Sequence, residues 1–266
     1  MVNRPSILQL AAELELSGNS GAICTVIASK GSTPRRAGTK MLVYHDGSIA
    51  GTVGGGDLEN RVRAAAIETI NDGYPRTLSY TMSDISRGDP GVCGGQVEVY
   101  VEPILPAPML VVVGGGHVGK AVCHLAKWLG FQVAVSDDRP EFCTPEANPD
   151  ADRFLPIPMN EIPNHLPISA HTYFVLTTRG VDVDIAGLPA LLESPAAYIG
   201  VIGSKRRWAT TVKQLRKAGM SKESIENIHS PMGLELNAET PEEIAVSIMS
   251  EIIMLRNGGT GIRMKS

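Results

Sequence analysis

The sequence predicts an α/β protein: a C-terminal Rossmann-like domain with a doubly wound parallel sheet, plus a smaller N-terminal α/β domain. Three observations carry this prediction. The run Met109-Leu110-Val111-Val112-Val113 leads into glycines at 114, 116 and 119 and then the apolar spacing Val118, Val122, Leu125 and Leu129, which reads as strand, tight turn and helix. Short apolar runs at 132–136, 153–155, 173–177 and 198–202 alternate with helical or proline-rich stretches, as in a mostly parallel sheet with helices on both faces. A chain of 266 residues suffices for about two domains, and Glu102-Pro103-Ile104-Leu105-Pro106-Ala107-Pro108 supplies an extended linker. The expected domains are 1–105 and 106–266.

In the first domain, residues 5–17 place Ile7, Leu10, Ala11 and Leu14 on one helical face. A strand over 22–28 follows, then the polar loop from Ser29 to Gly38. Strands over 40–44 and 48–53 flank His45-Asp46-Gly47, whose Asp-Gly step is a hairpin signal. The second of these strands ends in Gly54-Gly55-Gly56, and a helix starts near Asp57 with Leu58, Val62, Ala65, Ala66 and Ile70 turned inward. Residues 75–82 read as another strand and 96–102 as an alternating one, which the prolines from 103 onward are expected to end. In the second domain Asp137-Asp138-Arg139 closes the strand over 132–136. Ser204 caps a helix running to Ala218. Thr240-Pro241-Glu242-Glu243 is a capping box for a helix carrying Ile244, Ile248, Ile252 and Leu255 and stopping at Asn257-Gly258-Gly259.

Composition narrows the function classes. A hydrophobic share of 43% with 20% charged residues is that of an ordinary soluble protein, and a net charge of −4 gives no electrostatic footprint for nucleic acid or an anionic membrane. No apolar run approaches the roughly 18 residues of a spanning helix, and the N-terminus lacks the basic-then-apolar layout of a signal peptide. A cytoplasmic protein with neither nucleic acid nor membrane as partner is expected. The four cysteines form no CxxC pair. Cys24 and Cys123 sit inside apolar patterns and read as inert core thiols. Cys93, with Gly91 before it and Gly94 and Gly95 after it, reads either as a small residue in a strand-entry turn or as an exposed thiolate, a nucleophile and soft metal ligand.

Three clusters point to anionic ligands. Gly114, Gly116 and Gly119 let backbone approach a phosphate at a helix N-terminus, with His117 at the turn, and Asp137, about twenty residues on, lies where an acid takes a ribose hydroxyl. The alternative is a doubly wound domain that keeps the turn without a dinucleotide. In Gly203-Ser204-Lys205-Arg206-Arg207 three cations crowd a first helical turn, where the dipole disfavours them, so this is either an anion site or a solvated basic patch. In the first domain Lys30, Arg35, Arg36 and Lys40 flank one loop, and Gly54, Gly55 and Gly56 open a helix. Amides and guanidinium groups suit an oxyanion, although Asp57 and Glu59 in the first turn oppose one.

Taken together, these motifs resemble the XdhC/CoxI family, accessory proteins of xanthine dehydrogenase and related molybdenum hydroxylases. The resemblance runs through Gly31-Ser32-Thr33-Pro34-Arg35-Arg36-Ala37-Gly38-Thr39-Lys40-Met41, Gly51 to Glu59, Cys93-Gly94-Gly95, Gly114 to Gly119 with its histidine, Asp137-Asp138-Arg139-Pro140-Glu141-Phe142, Tyr198 to Arg207, and Pro231-Met232-Gly233-Leu234 leading to Thr240-Pro241-Glu242-Glu243-Ile244-Ala245. It implies a dimeric, two-domain protein that binds molybdenum cofactor (molybdopterin), protects it during sulfuration by a cysteine desulfurase, delivers it to the apo-hydroxylase, and is not itself an oxidoreductase. Cys93 becomes the candidate contact with the metal end. Arg35, Arg36 and Gly54 to Gly56 become phosphate-side candidates, while Gly114, Gly116, His117, Gly119, Asp137, Ser204, Lys205 and Arg206 offer a seat for a nucleotide or NAD(P). The chain is at the short end for such proteins. Val181 stands where many relatives carry a histidine, so no role of that histidine transfers.

Two competing functions remain open. An NAD(P)-dependent oxidoreductase would use the Gly114 turn and require an acid or base beside the nicotinamide, for which His117 is the histidine at hand. A nucleotide-sensing regulatory module would bind nucleotide without any cofactor delivery.

Overall fold

The computed structural model describes residues 5–82 and 94–264, so Cys93 lies outside the described residues. Two units divide the chain, Met1–Pro106 and Ala107–Ser266.

Period-two patterning builds the first unit. Helix α1 (Ile7–Leu16) starts at Ser6, which forms a capping box with Gln9. Strands β1 (Gly21–Lys30), β2 (Lys40–Tyr44) and β3 (Ile49–Gly51) precede helix α2 (Gly56–Asp72), and β4 (Arg76–Met82) and β5 (Gly95–Ile104) follow it. The strands form one antiparallel sheet in the order β3-β2-β1-β5-β4. Alternate residues Ala22, Cys24, Val26, Met41, Val43, Val97, Val99 and Val101 pack against Leu58, Val62, Ala66 and Ile70 of α2. The residues between them, Ile23, Leu42 and Tyr44, meet Ala11 and Leu14 of α1 on the opposite face. One strand end corrects the sequence reading. β5 continues through Pro103, opposite Ala22 of β1, because β4 begins opposite Val101 and no ladder donor is required of Pro103 on that side. β3 is also shorter than 48–53, ending at Gly51, whose φ of 78° leaves the extended region.

The second unit is the predicted doubly wound sheet. Strands β6 (Met109–Val113), β7 (Gln132–Ser136), β8 (Arg153–Leu155), β9 (Thr172–Leu176) and β10 (Tyr198–Val201) are all parallel, in the order β10-β9-β6-β7-β8. β6 and β9 are buried at every residue, as strands covered on both faces must be. Helices α3 (His117–Trp128) and α7 (Pro241–Arg256) cover one face through Val122, Ala126, Ile248 and Ile252. A 3-10 segment over Met159–Asn164, α4 (Val181–Leu192), α5 (Lys205–Lys217) and α6 (Lys222–Glu226) cover the other through Ile162, Leu188, Leu215 and Ile225. The order reverses at β6, flanked by β7 and β9, which makes the carboxyl edge there the topological switch point. Burial pushes the Cys24 and Cys123 thiols up to about 12, so both are neutral core groups. Among the described residues no helix is long and apolar enough to cross a membrane.

The glycines of the β6–α3 turn have separate packing duties. A Cβ on Gly119 would lie 1.9 Å from the Gly114 carbonyl oxygen, so helix and turn approach only because it is absent. Gly116, the uncapped N-cap, has φ −71° and no atom within 4 Å of such a Cβ. We predict that Gly119→Ala costs about 1–3 kcal/mol or more, whereas Gly116→Ala costs no more than about 1 kcal/mol. Urea midpoints measured at unchanged m-value check this, and equal losses at the two positions would refute it.

Candidate functional site

The loops at the carboxyl edge of the parallel sheet carry most of the sequence-predicted residues of the second unit, but of these only Gly114 and Asp137 line the cavity there. After β6 comes the Gly114–Gly116 turn, after β7 Asp137-Asp138-Arg139, after β9 Thr177-Thr178-Arg179, and after β10 Gly203-Ser204-Lys205-Arg206. A cavity of about 260 Å³ opens between the first three loops, the segment after β8 and α4. Gly114, Asp137, Asp138, Arg139 and Arg179 line it. His117 lines a different groove of about 400 Å³ between α3 and the start of α7, together with His124 and Glu242, and Gly116, Gly119, Ser204, Lys205 and Arg206 are not part of the cavity lining. Among the described residues, the acid–base role required by a nicotinamide oxidoreductase therefore has no histidine at this cavity.

Asp137 stands where the β-strand signal placed it, but its hydrogen bonds are fully committed. One carboxylate oxygen accepts the backbone N–H of Gly115 at 3.0 Å and the Nη2 of Arg139 at 2.9 Å; the other accepts the backbone N–H and Nε of Arg139 at 3.0 and 2.9 Å. A carboxylate offers about four lone-pair positions, so all are filled, and the group is 4% exposed. A ribose hydroxyl at Asp137 would have to displace Arg139. Its neighbour Asp138 is engaged differently, through a bidentate pair with Arg179 across the gap between the β7 and β9 loops. The guanidinium holds the Asp138 carboxyl below its usual range. Sequence reasoning missed this pair because its members lie 41 residues apart.

The loop after β7 closes over the glycine turn. Asn148, fully buried, donates from Nδ2 to the carbonyls of Gly115 at 3.2 Å and Phe142 at 2.8 Å. Its Oδ1 is buried without a partner. The N-terminus of α3 has no side-chain cap and no acid in its first turn, so its leading amides are available to an anion.

Of the three cations at the start of α5, one is structural. Arg207 turns back to donate to Asp184 at 2.7 Å, to the Thr178 hydroxyl at 2.7 Å and to the Thr178 carbonyl at 3.1 Å. Asp184 is completely buried, and the Thr178 hydroxyl also bonds to it. The crowding read from sequence therefore reduces to Lys205 and Arg206, both exposed beside Ser204, whose hydroxyl accepts the Arg207 N–H.

In the first unit the three separated motifs converge. A Cβ on Gly95 would lie 2.2 Å from the Ser32 carbonyl oxygen, and one on Gly31 would lie 3.2 Å from the Gly94 carbonyl oxygen, so the 31–34 loop rests directly on Gly94-Gly95. Pro34, next in that loop, lies 3.0 Å from a Cβ built on Gly54. Arg35 and Arg36 are exposed beside this contact. Gly54, Gly55 and Gly56 have φ of 149°, 79° and 62°, and the last two face open space. The start of α2 has no side-chain cap, which leaves its leading amides open to an anion. The acids that argued against one are otherwise engaged: Asp57 pairs with Arg61 at 2.8 Å, and Glu59 accepts the Thr52 hydroxyl. Lys40, by contrast, donates to Thr25 at 3.1 Å within the sheet. Among the described residues no three His, Cys, Asp or Glu side chains gather to hold a metal ion. Cys93, the proposed thiol, lies outside those residues, directly before Gly94 in the chain.

The division of labour among the α5 cations is testable. Arg207→Met should cost about 3–5 kcal/mol by stranding the buried Asp184 charge, while Lys205→Ala and Arg206→Ala should stay within about 0.5 kcal/mol of the parent. Equal urea midpoints for all three variants would contradict the assignment.

Comparison with known proteins agrees with both units. The family model described as the XdhC Rossmann domain matches residues 110–252, and that of the XdhC and CoxI family matches residues 14–81. The Escherichia coli (strain K12) protein YqeB is 34% identical over 96% of this chain and 47% of its own length. A Bacillus subtilis (strain 168) protein, named as a probable xanthine dehydrogenase subunit, is 32% identical over 59% of this chain and 46% of its own length. The chain thus aligns with about half the length of these two relatives. The Escherichia coli (strain K12) protein named molybdenum cofactor insertion chaperone PaoD is 21% identical over 94% of this chain and 88% of its own. A crystal structure described as that of a xanthine dehydrogenase from Bacillus halodurans shares the fold, with a TM-score of 0.52, 23% identity and 97% coverage of each chain. The chain belongs to the XdhC and CoxI family, and its parallel-sheet unit is the XdhC Rossmann domain.

Proposed function

We propose that this chain is a maturation factor that binds molybdenum cofactor and delivers it to a xanthine dehydrogenase-type molybdenum hydroxylase. Family membership and the chaperone name of PaoD support the class. The observation that carries the reading is the convergence, in the first unit, of the Arg35-Arg36 loop, the open Gly54–Gly56 turn and Gly94-Gly95. Molybdenum cofactor is a pterin with an anionic phosphate or nucleotide tail and a sulfur-bound metal. The donor set fits that chemistry: open amides and two exposed guanidinium groups suit the phosphate, and a thiolate at Cys93 suits the metal end. When bound, the group supplies the metal centre that the client needs. The chain's own residues hold the anion and orient it by the fixed glycine backbone, with Asp57 paired to Arg61.

In this reading the protein works as a homodimer, receives a sulfurated cofactor through a cysteine desulfurase, and hands it to the apo-hydroxylase. The test is metal and pterin analysis of protein purified from a host that makes molybdenum cofactor. The parent should carry molybdenum and pterin together. Cys93→Ser should keep the fold, judged by its far-UV spectrum and urea midpoint, yet lose most of the molybdenum. Replacing both Arg35 and Arg36 by Ala should lower retention at least tenfold at physiological salt. Parent protein free of pterin, or a Cys93→Ser variant with unchanged molybdenum content and unchanged client activation, would sink the proposal.

A further inference from the structure

The outer face of α5 takes no part in the molybdenum reading, and much of its charge is placed without benefit to the fold. Lys205, Arg206, Lys213, Arg216 and Lys217 are all exposed on this 13-residue helix, which contains no acid. Among the described residues none of these five side chains has an ion-pair or hydrogen-bond partner. Arg207 is the cation of α5 that folds inward, onto Asp184, and Glu226 of α6 pairs with its own Lys222 at 3.4 Å. Arg206, Lys213 and Lys217 stand at i, i+7 and i+11 on one line of the helix, and Lys205 and Arg216 lie on the line beside it. Trp208, Val212 and Leu215 face the core on the opposite side.

Three of the five positions work against folding. Lys205 and Arg206 occupy the first turn, where the helix dipole disfavours cations, and Lys213 forms a like-charge i,i+4 pair with Lys217. Arg216 and Lys217 sit in the last turn, where the dipole does favour them. The chain as a whole carries −4, so this positive charge is local.

We infer that the outer face of α5 is a docking surface for an acidic face of a partner protein. Length decides against a single small anion, because the row from Arg206 to Lys217 runs about 17 Å along the helix axis. Nucleic acid finds no stacking platform, since Trp208 is the aromatic residue of α5 and packs toward the core, and the net negative chain repels a polyanion that extends beyond one helix. An anionic bilayer finds no large apolar side chain to take up, because the residues exposed between the cations are Ala209 and Thr210. Those two small residues leave room for the carboxylates of a partner to reach between the cations. Complementarity of this kind speeds encounter and selects the partner.

The experiment is fluorescence anisotropy of the full chain with a labelled peptide of alternating glutamate and alanine, long enough to span the helix. The peptide should bind the parent, and at least fivefold more weakly as salt rises from about 50 to about 200 mM. Arg206→Glu combined with Lys213→Glu should weaken binding at least tenfold at the lower salt. Arg153→Glu, which reverses an exposed charge of β8, should leave it within twofold. Duplex DNA, and vesicles of phosphatidylserine with phosphatidylcholine, should bind more weakly than the peptide. The salt series on the parent keeps the test valid even if the double variant fails to fold. Absence of peptide binding, binding that salt does not weaken, a folded double variant that binds like the parent, or tighter binding of DNA or vesicles would each overturn the inference. So would self-association of the parent that low salt promotes and the double variant abolishes, since the occupant would then be a second copy of this chain. None of the probes contains pterin or metal, so the outcome is separate from that of the molybdenum analysis.

Discussion

The second unit depends on one close approach. Gly119 lets α3 lean onto the Gly114 carbonyl, and the Thr177 hydroxyl donates to that same carbonyl at 2.7 Å. One backbone oxygen thereby ties together the end of β6, the first turn of α3 and the end of β9. These elements meet at the switch point, where neighbouring crossovers diverge and leave a crevice. A side chain at 119 would meet the Gly114 carbonyl and the Thr177 hydroxyl and push the helix away from both. The geometry of the candidate site is thus a consequence of packing that touches no ligand.

Charge is distributed around the crevice so that neither buried acid stands alone. Asp137 is neutralised by Arg139, and Asp184 by Arg207 with help from Thr178. Buried pairs of this kind contribute little net stability compared with apolar replacements, but breaking one leaves an uncompensated charge, so they fix loop positions strictly. What remains free is correspondingly informative. The leading amides of α3 lack a side-chain cap, and Lys205 and Arg206 are exposed.

Local patterning made the element order of both units legible, because each strand or helix carries its own period and punctuation. The Thr240–Glu243 capping box and the Ser204 cap are satisfied inside four residues and were readable for that reason. The roles of charged residues were not. Arg207 looked like part of a basic patch until the fold brought Asp184, 23 residues upstream, against it. Asp137 looked available because the loop that returns Arg139 onto it has no sequence period. Pro103 looked like a terminator because the absence of a β4 partner beyond Val101 is a property of the sheet and not of the strand. In the first unit, Ser32 and Gly95 are 63 positions apart in the chain, and only the β1–β5 pairing sets their loops in contact.

Glycine-rich turns occur in both units, and comparing their surroundings separates two uses of the same residue. Gly95, Gly114, Gly115 and Gly119 are small because protein atoms press on them; a Cβ at any of them would fall within 2.7 Å of a backbone oxygen. Gly55, Gly56 and Gly116 face open space. At Gly55 and Gly56 the backbone conformation itself calls for glycine, with φ in the left-handed region. Gly116 has neither excuse: its φ is ordinary and its surroundings are empty. Gly116 is thus a position where neither the protein's own packing nor its backbone geometry demands glycine, at the uncapped start of a helix.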